Sequence, residues 1–431
     1  MCYYASRDLV PLYALYALLF ADHGLSVAQI SSLFVAWSVT TFLLEIPSGA
    51  WADTVDRRLL LVLSAVIHTA GFTLWTVWPS YAGFLLGFVL WGLASATMSG
   101  TFEAYLWDGV ARARTPDHRR LSRFTTVLGR CRAASTIVVV VAMLVAAPLV
   151  DLGGYALAGW VTVGAGLLHV GIGLALPRVD RAGTEPPDDE PEPVPDAEHE
   201  PTSTPAPAPA PTPAPAPTYR RMLRAGLLEA TRVPAVRRIV LVTSVLWGLQ
   251  IYDEYFPLVA RDLGAAASTV PLLVALATAG EAVGSALAGR AERLPARGLA
   301  AILAGAAVLL TVGAAVGGVL GVWPAFVLVA TGYSGLACAV VVYEARLQQA
   351  VRGPARATVT SVTGVGGEVV AVLGYGYFLV GSAWATTAAL VAGLGVPLLA
   401  VALGARPGDR PKAPEAGETP EAPETPEAPV R

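Results

Sequence analysis

Several carboxylates in this sequence stand inside long apolar segments, where an ionised group is energetically costly. A charge at the centre of a lipid bilayer costs at least about 2.5–3.5 kcal/mol on insertion scales, so such groups face a protein interior or a wet cavity. An acid in that position can exchange a proton, because desolvation raises the pKa of a carboxyl group and a nearby arginine lowers it. We expect this proton exchange at Glu45, Glu281 and Glu368.

Glu45 is the first of these candidates. It lies about two helical turns before Asp53, and Arg130 or Arg132 can approach it. The alternative role for Glu45 is a fixed hydrogen bond that stabilises helix packing.

A second group of polar side chains lies in the stretch WGLQIYDEYFP, residues 247–257. Trp247, Gln250 and Glu254 share one face at helical spacing and combine an aromatic ring, an amide and an acid. That combination suits a binding wall for an amphipathic or cationic organic molecule. Asp253 is rotated by about 100° from Glu254 on a helix, so the two acids are not expected to point the same way. The alternative for each acid is a solvated position at the membrane interface.

Two further pairs complete the candidate substrate cavity. Tyr13 and Tyr16 share a stripe on the first apolar segment, where helix packing is the alternative explanation. Arg130 and Arg132 are basic residues within the fifth apolar segment.

The elements that must position these residues are long and apolar. Of the 431 residues, 55% are hydrophobic and 14% are charged, whereas a soluble protein carries roughly 25% charged residues. The mean hydropathy is +0.58. A spanning helix needs about 20 apolar residues, and the absence of period-2 alternation argues against a membrane barrel. Twelve windows of suitable length follow one another: 6–24, 27–51, 58–78, 81–107, 123–150, 154–176, 237–259, 269–289, 298–320, 323–346, 357–381 and 384–404.

Arginines concentrate in alternate connections between these windows. If the N-terminus is inside, Arg261 is the one basic residue in the outer connections. An excess of arginine on one side marks the cytoplasmic face. We therefore expect a multi-pass protein of the cell membrane with both termini in the cytoplasm.

One long polar segment divides the chain. Acidic residues crowd 184–200 and Pro-Ala pairs fill 204–218, a composition that favours polyproline II and acts as a semi-stiff spacer. The resulting division is an N-terminal six-helix bundle, a cytosolic acidic and Pro-Ala-rich linker, a C-terminal six-helix bundle and a disordered cytosolic tail. These regions span residues 1–178, 179–236, 237–405 and 406–431.

The two halves repeat at offsets close to 240 residues. EIPSGAWA at 45–52 is echoed by EAVGSALA at 281–288, and FEA at 102–104 is echoed by YEA at 343–345. Parallel six-plus-six repeats with a long inner linker are the organisation of one large class of transporter.

The stretch GAWADTVDRR, residues 49–58, resembles the loop signature of the major facilitator superfamily. That signature is Gly-x-x-x-Asp, a basic residue, any residue, Gly and two basic residues. Here Thr54 replaces the first basic residue and Asp56 replaces the second glycine. Aspartate is among the residues that tolerate the positive φ expected there. With the twelve windows, the arginine asymmetry and the half-repeat, the resemblance covers residues 6–404.

The resemblance implies a fold, a pathway and an activity. The fold is an all-α membrane protein with twelve transmembrane helices, arranged as two six-helix bundles related by a pseudo-twofold. Spans 3, 6, 9 and 12 would be outer supports, and the other spans would surround a central pathway. The activity would be secondary active transport of a small organic solute by rocker-switch alternating access.

The positions of several charged residues near the cytosolic ends of the spans also predict a gate on that side of the membrane. Asp53 lies where span 2 meets the cytosol, Asp108 lies at the inner end of span 4, and Arg57 or Arg58 can lie between them. Partly exposed ion pairs are each worth about 0–1 kcal/mol, which suits a latch that opens in every cycle. The alternative is that the arginines only anchor the topology.

The second half is expected to repeat this gate in a weaker form. The corresponding pair is Arg293 with Glu344, and Gly289 occupies the position that aligns with Asp53 of the first half.

The direction of transport is also inferred from resemblance. The stretches LLEIPSG (43–49) and GTFEAYLWD (100–108) resemble uncharacterised efflux-type members of the superfamily, which favours proton-coupled export of a drug-like or secondary-metabolite compound. Members that exchange protons for drugs often carry a basic residue in span 4 and a Gly-Pro-rich motif in span 5, and this sequence has neither. A proton-coupled nutrient importer is one alternative. A sensor or scaffold that acts through the Pro-rich linker is the alternative from another class.

Other activities are not expected from the sequence. It shows no nucleophile–base set, Walker loop or metal cluster, so we expect neither an enzyme nor ATP drive, and no cofactor. The expected partners are a small-molecule substrate, protons and the lipid bilayer. We expect no nucleic-acid binding and a monomeric chain.

Overall fold

A computed structural model of the chain describes residues 1–113, 117–179, 227–351 and 356–404. These residues form helices joined by short connections, and they include no strand. The predicted linker lies outside the described residues except at its two ends. The predicted tail, 406–431, lies outside them completely.

Ten helices in the described part are long and apolar enough to cross a membrane. The longest of these spans, Ser122–Leu174, contains a break at Gly153 and Gly154, where the positive φ of Gly154 favours glycine. It therefore accounts for predicted spans 5 and 6 together. The first predicted span is made of short pieces and is not among the ten. The helices are consistent with the predicted twelve crossings, and the all-helical membrane fold is confirmed.

The N-terminal half contains seven helices and one 3₁₀ turn within the described residues. The helices are α1 Cys2–Ser6, α2 Tyr16–Asp22, α3 Val27–Thr54, α4 Arg57–Val77, α5 Tyr81–Met98, α6 Thr101–Arg112 and α7 Asp117–Leu174, and the 3₁₀ turn is Pro11–Ala14.

The C-terminal half follows the same plan from residue 234 onward. Its helices are α8 Pro234–Gly248, α9 Tyr252–Asp262, α10 Val270–Ala291, α11 Ala296–Leu320, α12 Val322–Ala350, α13 Arg356–Gly381, α14 Thr387–Gly393 and α15 Gly395–Gly404, and a 3₁₀ turn, Leu249–Ile251, joins α8 to α9.

The first span of each half is interrupted at a matching place. A 3₁₀ turn precedes Tyr16 in one half and Tyr252 in the other. Proline contributes to the first break, because it has a fixed φ and no N–H, and Pro11 begins that 3₁₀ turn. Pro257 lies within α9, after the second 3₁₀ turn. The predicted span 6–24 is therefore not one continuous helix.

Small residues let neighbouring helices approach closely in the C-terminal half. A Cβ atom added at Gly284 on α10 would lie 1.9 Å from the carbonyl oxygen of Ser334 on α12, and one added at Gly280 would lie 2.4 Å from that of Ala330. These two helices therefore pack backbone against backbone, as small-residue interfaces in membranes do.

The two halves meet along three helix pairs: α3 with α13, α7 with α10, and α2 with α9. We call the end of the bundle that carries Arg57, Arg58 and Arg293 the arginine-rich end. The arginine-poor end carries Asp22 and Arg261. The predicted orientation places the arginine-rich end in the cytoplasm.

Candidate functional site

A cavity of about 210 Å³ lies between the two halves. Its walls are α3 of the N-terminal half, the interrupted span α8–α9, and α13. We call it the central cavity. Its lining residues are Trp37, Ser38, Thr41, Trp247, Gln250, Ile251, Asp253, Glu254, Glu368, Ala371 and Tyr375.

Glycines on α8 and α13 let these two helices approach closely beside the cavity. A Cβ atom at Gly367 would lie 2.7 Å from the Trp247 ring, and one at Gly248 would lie 2.5 Å from the Cβ of Val370. The two helices therefore come close enough for the indole of Trp247 to pack against α13 at Gly367. Trp247 remains 39% exposed, because its other face lines the cavity.

Three carboxylates converge on the central cavity, and two of them bond to the opposite half. The hydroxyl of Tyr16 donates to Glu254, and the hydroxyl of Ser38 donates to Glu368. Within the C-terminal half, the hydroxyl of Tyr333 donates to the carbonyl of Gln250, beside Asp253, at 3.3 Å. Carboxylates that accept such bonds are oriented by their partners. Two of the three acids are thus held by groups that belong to the other half.

The arginine-poor end is closed by contacts between the halves. Asp22 forms an ion pair with Arg261 at 2.6 Å, and the hydroxyls of Ser31 and Tyr255 lie 2.8 Å apart. The ring of Tyr255 also packs edge-on against Phe34, with the ring centroids 5.7 Å apart. Together with the Tyr16–Glu254 and Ser38–Glu368 bonds at the cavity, these contacts join the two halves from the middle of the bundle to this end.

Three polar contacts at the arginine-rich end each lie within one half. In the N-terminal half, Arg57 forms an ion pair with Asp108, and Arg58 donates to the carbonyl of Leu174. In the C-terminal half, the amide of Gln349 donates to Glu292 at 2.9 Å. These three contacts therefore stabilise the rim of each half separately.

A second cavity of about 560 Å³ opens on the arginine-rich side of Trp247. It lies among α8, α12 and α13, and its polar lining includes Glu344, Gln348 and Thr360. Trp247 belongs to the walls of both cavities. A solute route through the C-terminal half would pass this indole.

The structure brings five of the predicted site residues together. They all line the central cavity: Trp247, Gln250, Asp253, Glu254 and Glu368. Asp253 and Glu254, which are expected to differ in direction by about 100°, both line this cavity. Tyr16 reaches the site through Glu254.

Other predicted residues lie elsewhere. Within the described part of the chain, the lining of the central cavity does not include Arg130 or Arg132, which are exposed on α7. Tyr13 stacks on Trp91 inside the N-terminal half, with ring centroids 5.3 Å apart. Glu281 on α10 is half-buried and does not belong to the lining of the central cavity.

The predicted gate residues are only partly brought together. Arg57 and Asp108 are paired, whereas Glu344 lines the second cavity. Gln349 rather than Glu344 bonds to the connection after α10. The reason is register: Gln349 follows Glu344 by more than one helical turn and therefore reaches the rim.

The side chains of Glu45 and Asp53 lie outside the described part of the chain, although α3 runs through both positions. Their predicted roles remain predictions.

Sequence reasoning missed the contribution of α3 to the cavity. Trp37, Ser38 and Thr41 all line it, and the indole nitrogen of Trp37 is buried without a hydrogen-bond partner. A Trp-Ser-x-x-Thr pattern places these side chains on neighbouring faces of a helix, but nothing in the pattern identifies the helix opposite. Tyr375, on α13, was missed for the same reason.

The described residues contain no group of three or more His, Cys, Asp or Glu side chains that could hold a metal ion.

A family model described as Major Facilitator Superfamily matches residues 1–375. No curated protein matches the chain. Among solved structures, the chain is similar to a bacterial homologue of the human lysosomal transporter Spinster in an inward-facing, unoccupied conformation, with 16% identity over 93% of this chain and 91% of that chain and a TM-score of 0.62. It is also similar to the nucleoside transporter NupG, with 13% identity over 93% of this chain and 96% of that chain and a TM-score of 0.65.

A third similar structure is a bacterial homologue of the iron transporter ferroportin in an inward-facing state. The identity is 12% over 94% of this chain and 96% of that chain, and the TM-score is 0.63. At such low identities these likenesses establish the fold alone.

Proposed function

Because the chain belongs to the major facilitator superfamily, we propose that it is a secondary active transporter that moves a small organic solute by alternating access. One observation carries the proposal. The central cavity is walled by both halves and contains three carboxylates, two of which are bonded to the opposite half. A binding site shared in this way changes its accessibility when the halves rock against each other.

The contacts between the halves support alternating access. Opening the arginine-poor end requires the bonds Asp22–Arg261, Ser31–Tyr255 and Tyr16–Glu254 to break. The rim contacts at the arginine-rich end lie within single halves, so they can persist while that end is open. This arrangement corresponds to an inward-facing state if the arginine-rich end is cytoplasmic.

We assign proton coupling to acids whose partner lies across the interface. When the halves separate, Glu254 loses the Tyr16 hydroxyl and Glu368 loses the Ser38 hydroxyl, and water replaces them. A carboxyl group in dry surroundings holds its proton more tightly than a hydrated one. Each acid would thus take up a proton in one state and release it in the other. Export follows if the solute competes with the proton for the same carboxylate.

The gate residues of the first half act with these acids. The ion pair Arg57–Asp108 fixes the rim formed by α4 and α6. The proposed role of Asp53 is to meet the other half when this end closes. Arg132 on α7 and Glu344 on α12 carry opposite charges on different halves. Closing the arginine-rich end would bring that pair together.

A screen followed by a transport assay tests the proposal. The purified full chain is screened for thermal stabilisation by organic solutes, and each hit is assayed in proteoliposomes with an imposed pH gradient. We expect the gradient to drive accumulation of at least one hit. Failure of every stabilising solute to be transported, with or without a gradient, would contradict the proposal.

Glu45 remains a candidate for coupling and has its own test. Glu45→Gln should stop gradient-driven uptake while solute exchange persists. Normal gradient-driven uptake in that variant would remove Glu45 from the coupling mechanism.

The phenotype of cells that lack the gene distinguishes export from import. Export predicts that loss of the gene raises retention of the solute, whereas import predicts poorer growth on it. The scaffold alternative is tested by deleting residues 185–217, which should leave transport nearly intact if the segment is only a linker.

A further inference from the structure

A lateral groove of about 180 Å³ runs between α3 and α13 on the outside of the bundle. Apart from Ser38 and Glu368, its lining residues are all valine, leucine or phenylalanine. Phe42 is 43% exposed and Leu373 is 67% exposed. Because both helices are candidate membrane spans, these exposed apolar side chains face the acyl chains of the bilayer.

The lateral groove and the central cavity share two residues, Ser38 and Glu368. Glu368 stands at the middle of α13, Arg356–Gly381, so the shared wall lies at mid-depth in the bundle. On one side of this wall, the central cavity has acidic and aromatic lining residues. On the other side, the lining of the lateral groove apart from Ser38 and Glu368 is apolar. A ligand that occupies both spaces must therefore have a polar head and an apolar tail.

The charge of the central cavity determines which charge the polar head of such a ligand must carry. Asp253, Glu254 and Glu368 supply carboxylates, and Trp37, Trp247 and Tyr375 supply aromatic faces. Within the described lining there is no lysine or arginine. Carboxylates together with aromatic rings favour an organic cation, in particular a quaternary or bulky ammonium that binds through charge and cation–π contacts.

We propose that the solute is an amphipathic organic cation, whose head binds in the central cavity and whose alkyl tail lies in the lateral groove between α3 and α13. This inference rests on the proposed transport function and names its substrate class. The tail stays in an apolar environment throughout, so it need not be transferred into the cavity. The groove, with a volume of about 180 Å³, has room for several methylene groups.

Binding to the full chain in phosphatidylcholine nanodiscs tests the inference, with the signal of empty nanodiscs subtracted. The probes are decyltrimethylammonium, phenyltrimethylammonium, which carries the head without an alkyl chain, and decyl sulfate, which carries the chain with the opposite charge. Val369→Trp fills the groove from α13. Val380→Trp is the matched control, because Val380 lies on the same helix outside the groove and is 54% exposed, compared with 55% for Val369.

We expect Val369→Trp to weaken binding of decyltrimethylammonium at least tenfold while phenyltrimethylammonium binding changes less than twofold. Val380→Trp should change neither, and Glu368→Gln should weaken both cations at least tenfold. If Val369→Trp loses the tail-free cation as well, Leu373→Trp, one turn further along the groove, repeats the test.

Equal binding of decyltrimethylammonium to the two tryptophan variants would overturn the inference, and so would decyl sulfate binding as tightly as the cation. Failure of wild-type protein to bind decyltrimethylammonium would overturn it too. If gradient-driven transport of a tail-free solute is observed alongside any of these results, the proposed transport function stands and only the substrate class is wrong.

Discussion

The hydroxyl of Tyr16 donates a hydrogen bond to the carboxylate of Glu254, and this bond joins the two halves next to the central cavity. Tyr16 has a structural counterpart in the other half, because Tyr252 also follows the 3₁₀ interruption of a first span. The hydroxyl of Tyr252 is buried without a hydrogen-bond partner. The two positions therefore provide a matched pair for testing what the bond between the halves contributes.

Tyr16→Phe should shift the protein toward the state in which the arginine-poor end is open. A hydrogen bond to a charged group is worth about 1.5–3 kcal/mol, which corresponds to a change on the order of ten- to a hundredfold in the equilibrium. Spin labels at Asp151→Cys and Ala385→Cys, one on each half at this end, would report the distance distribution after the three native cysteines are replaced by alanine.

Tyr252→Phe is the control for this measurement, and it should leave the distance distribution unchanged. Equal shifts in the two tyrosine variants would mean that the bond to Glu254 does not hold the halves together.

Arg261→Gln should have a much smaller effect on the same equilibrium. The side chains of Arg261 and Asp22 are 42% and 44% exposed, and exposed ion pairs are worth about 0–1 kcal/mol. We expect less than about a fivefold change, which disappears at high salt because screening weakens exposed pairs. A salt-independent change as large as that of Tyr16→Phe would contradict this ranking.

Glu368→Gln should uncouple transport from the proton gradient. Glutamine can still accept the bond from Ser38, but it cannot carry a proton, so accumulation against a gradient should stop while solute exchange continues. Glu292→Gln, in an exposed connection that contacts Gln349, serves as the control and should accumulate solute normally. Wild-type accumulation by Glu368→Gln would remove this residue from coupling.

Asp108→Asn should destabilise the N-terminal half. Asp108 is 4% exposed and pairs with Arg57, and removing one partner of a buried pair costs about 3–5 kcal/mol. We expect the lower end of this range, because the Arg57 side chain keeps 17% of its surface exposed. The midpoint of thermal unfolding in detergent measures the change, and a midpoint equal to that of wild type would show that the pair contributes little.

Gly284→Ala should destabilise the C-terminal half, since the added methyl group would lie 1.9 Å from the Ser334 carbonyl oxygen. Overpacking of this kind costs about 1–3 kcal/mol. Gly289→Ala on the same helix meets no atom within 4 Å and should raise stability by about 0.4–1 kcal/mol, because alanine restricts the unfolded chain. Thermal unfolding of both variants should therefore shift in opposite directions.

The architecture was accessible from the amino-acid sequence because it depends on local composition. Each apolar window is long enough to cross a bilayer by itself, and each interior charge is visible at its position in a window. The half-repeat and the loop GAWADTVDRR predicted the family, and the family model confirms it. The stretch 247–257 also predicted four residues of the central cavity, because their spacing is a property of a single span.

The partners of these residues were decided by tertiary structure alone. No pattern within α9 indicates that Glu254 meets Tyr16, and no pattern within α13 indicates that Glu368 meets Ser38. Such contacts depend on how far apart the helices pack and how each is rotated, and here glycines such as Gly367 set that distance. A helix's own sequence fixes the spacing of its side chains along the axis, whereas its orientation is set by the surfaces of its neighbours.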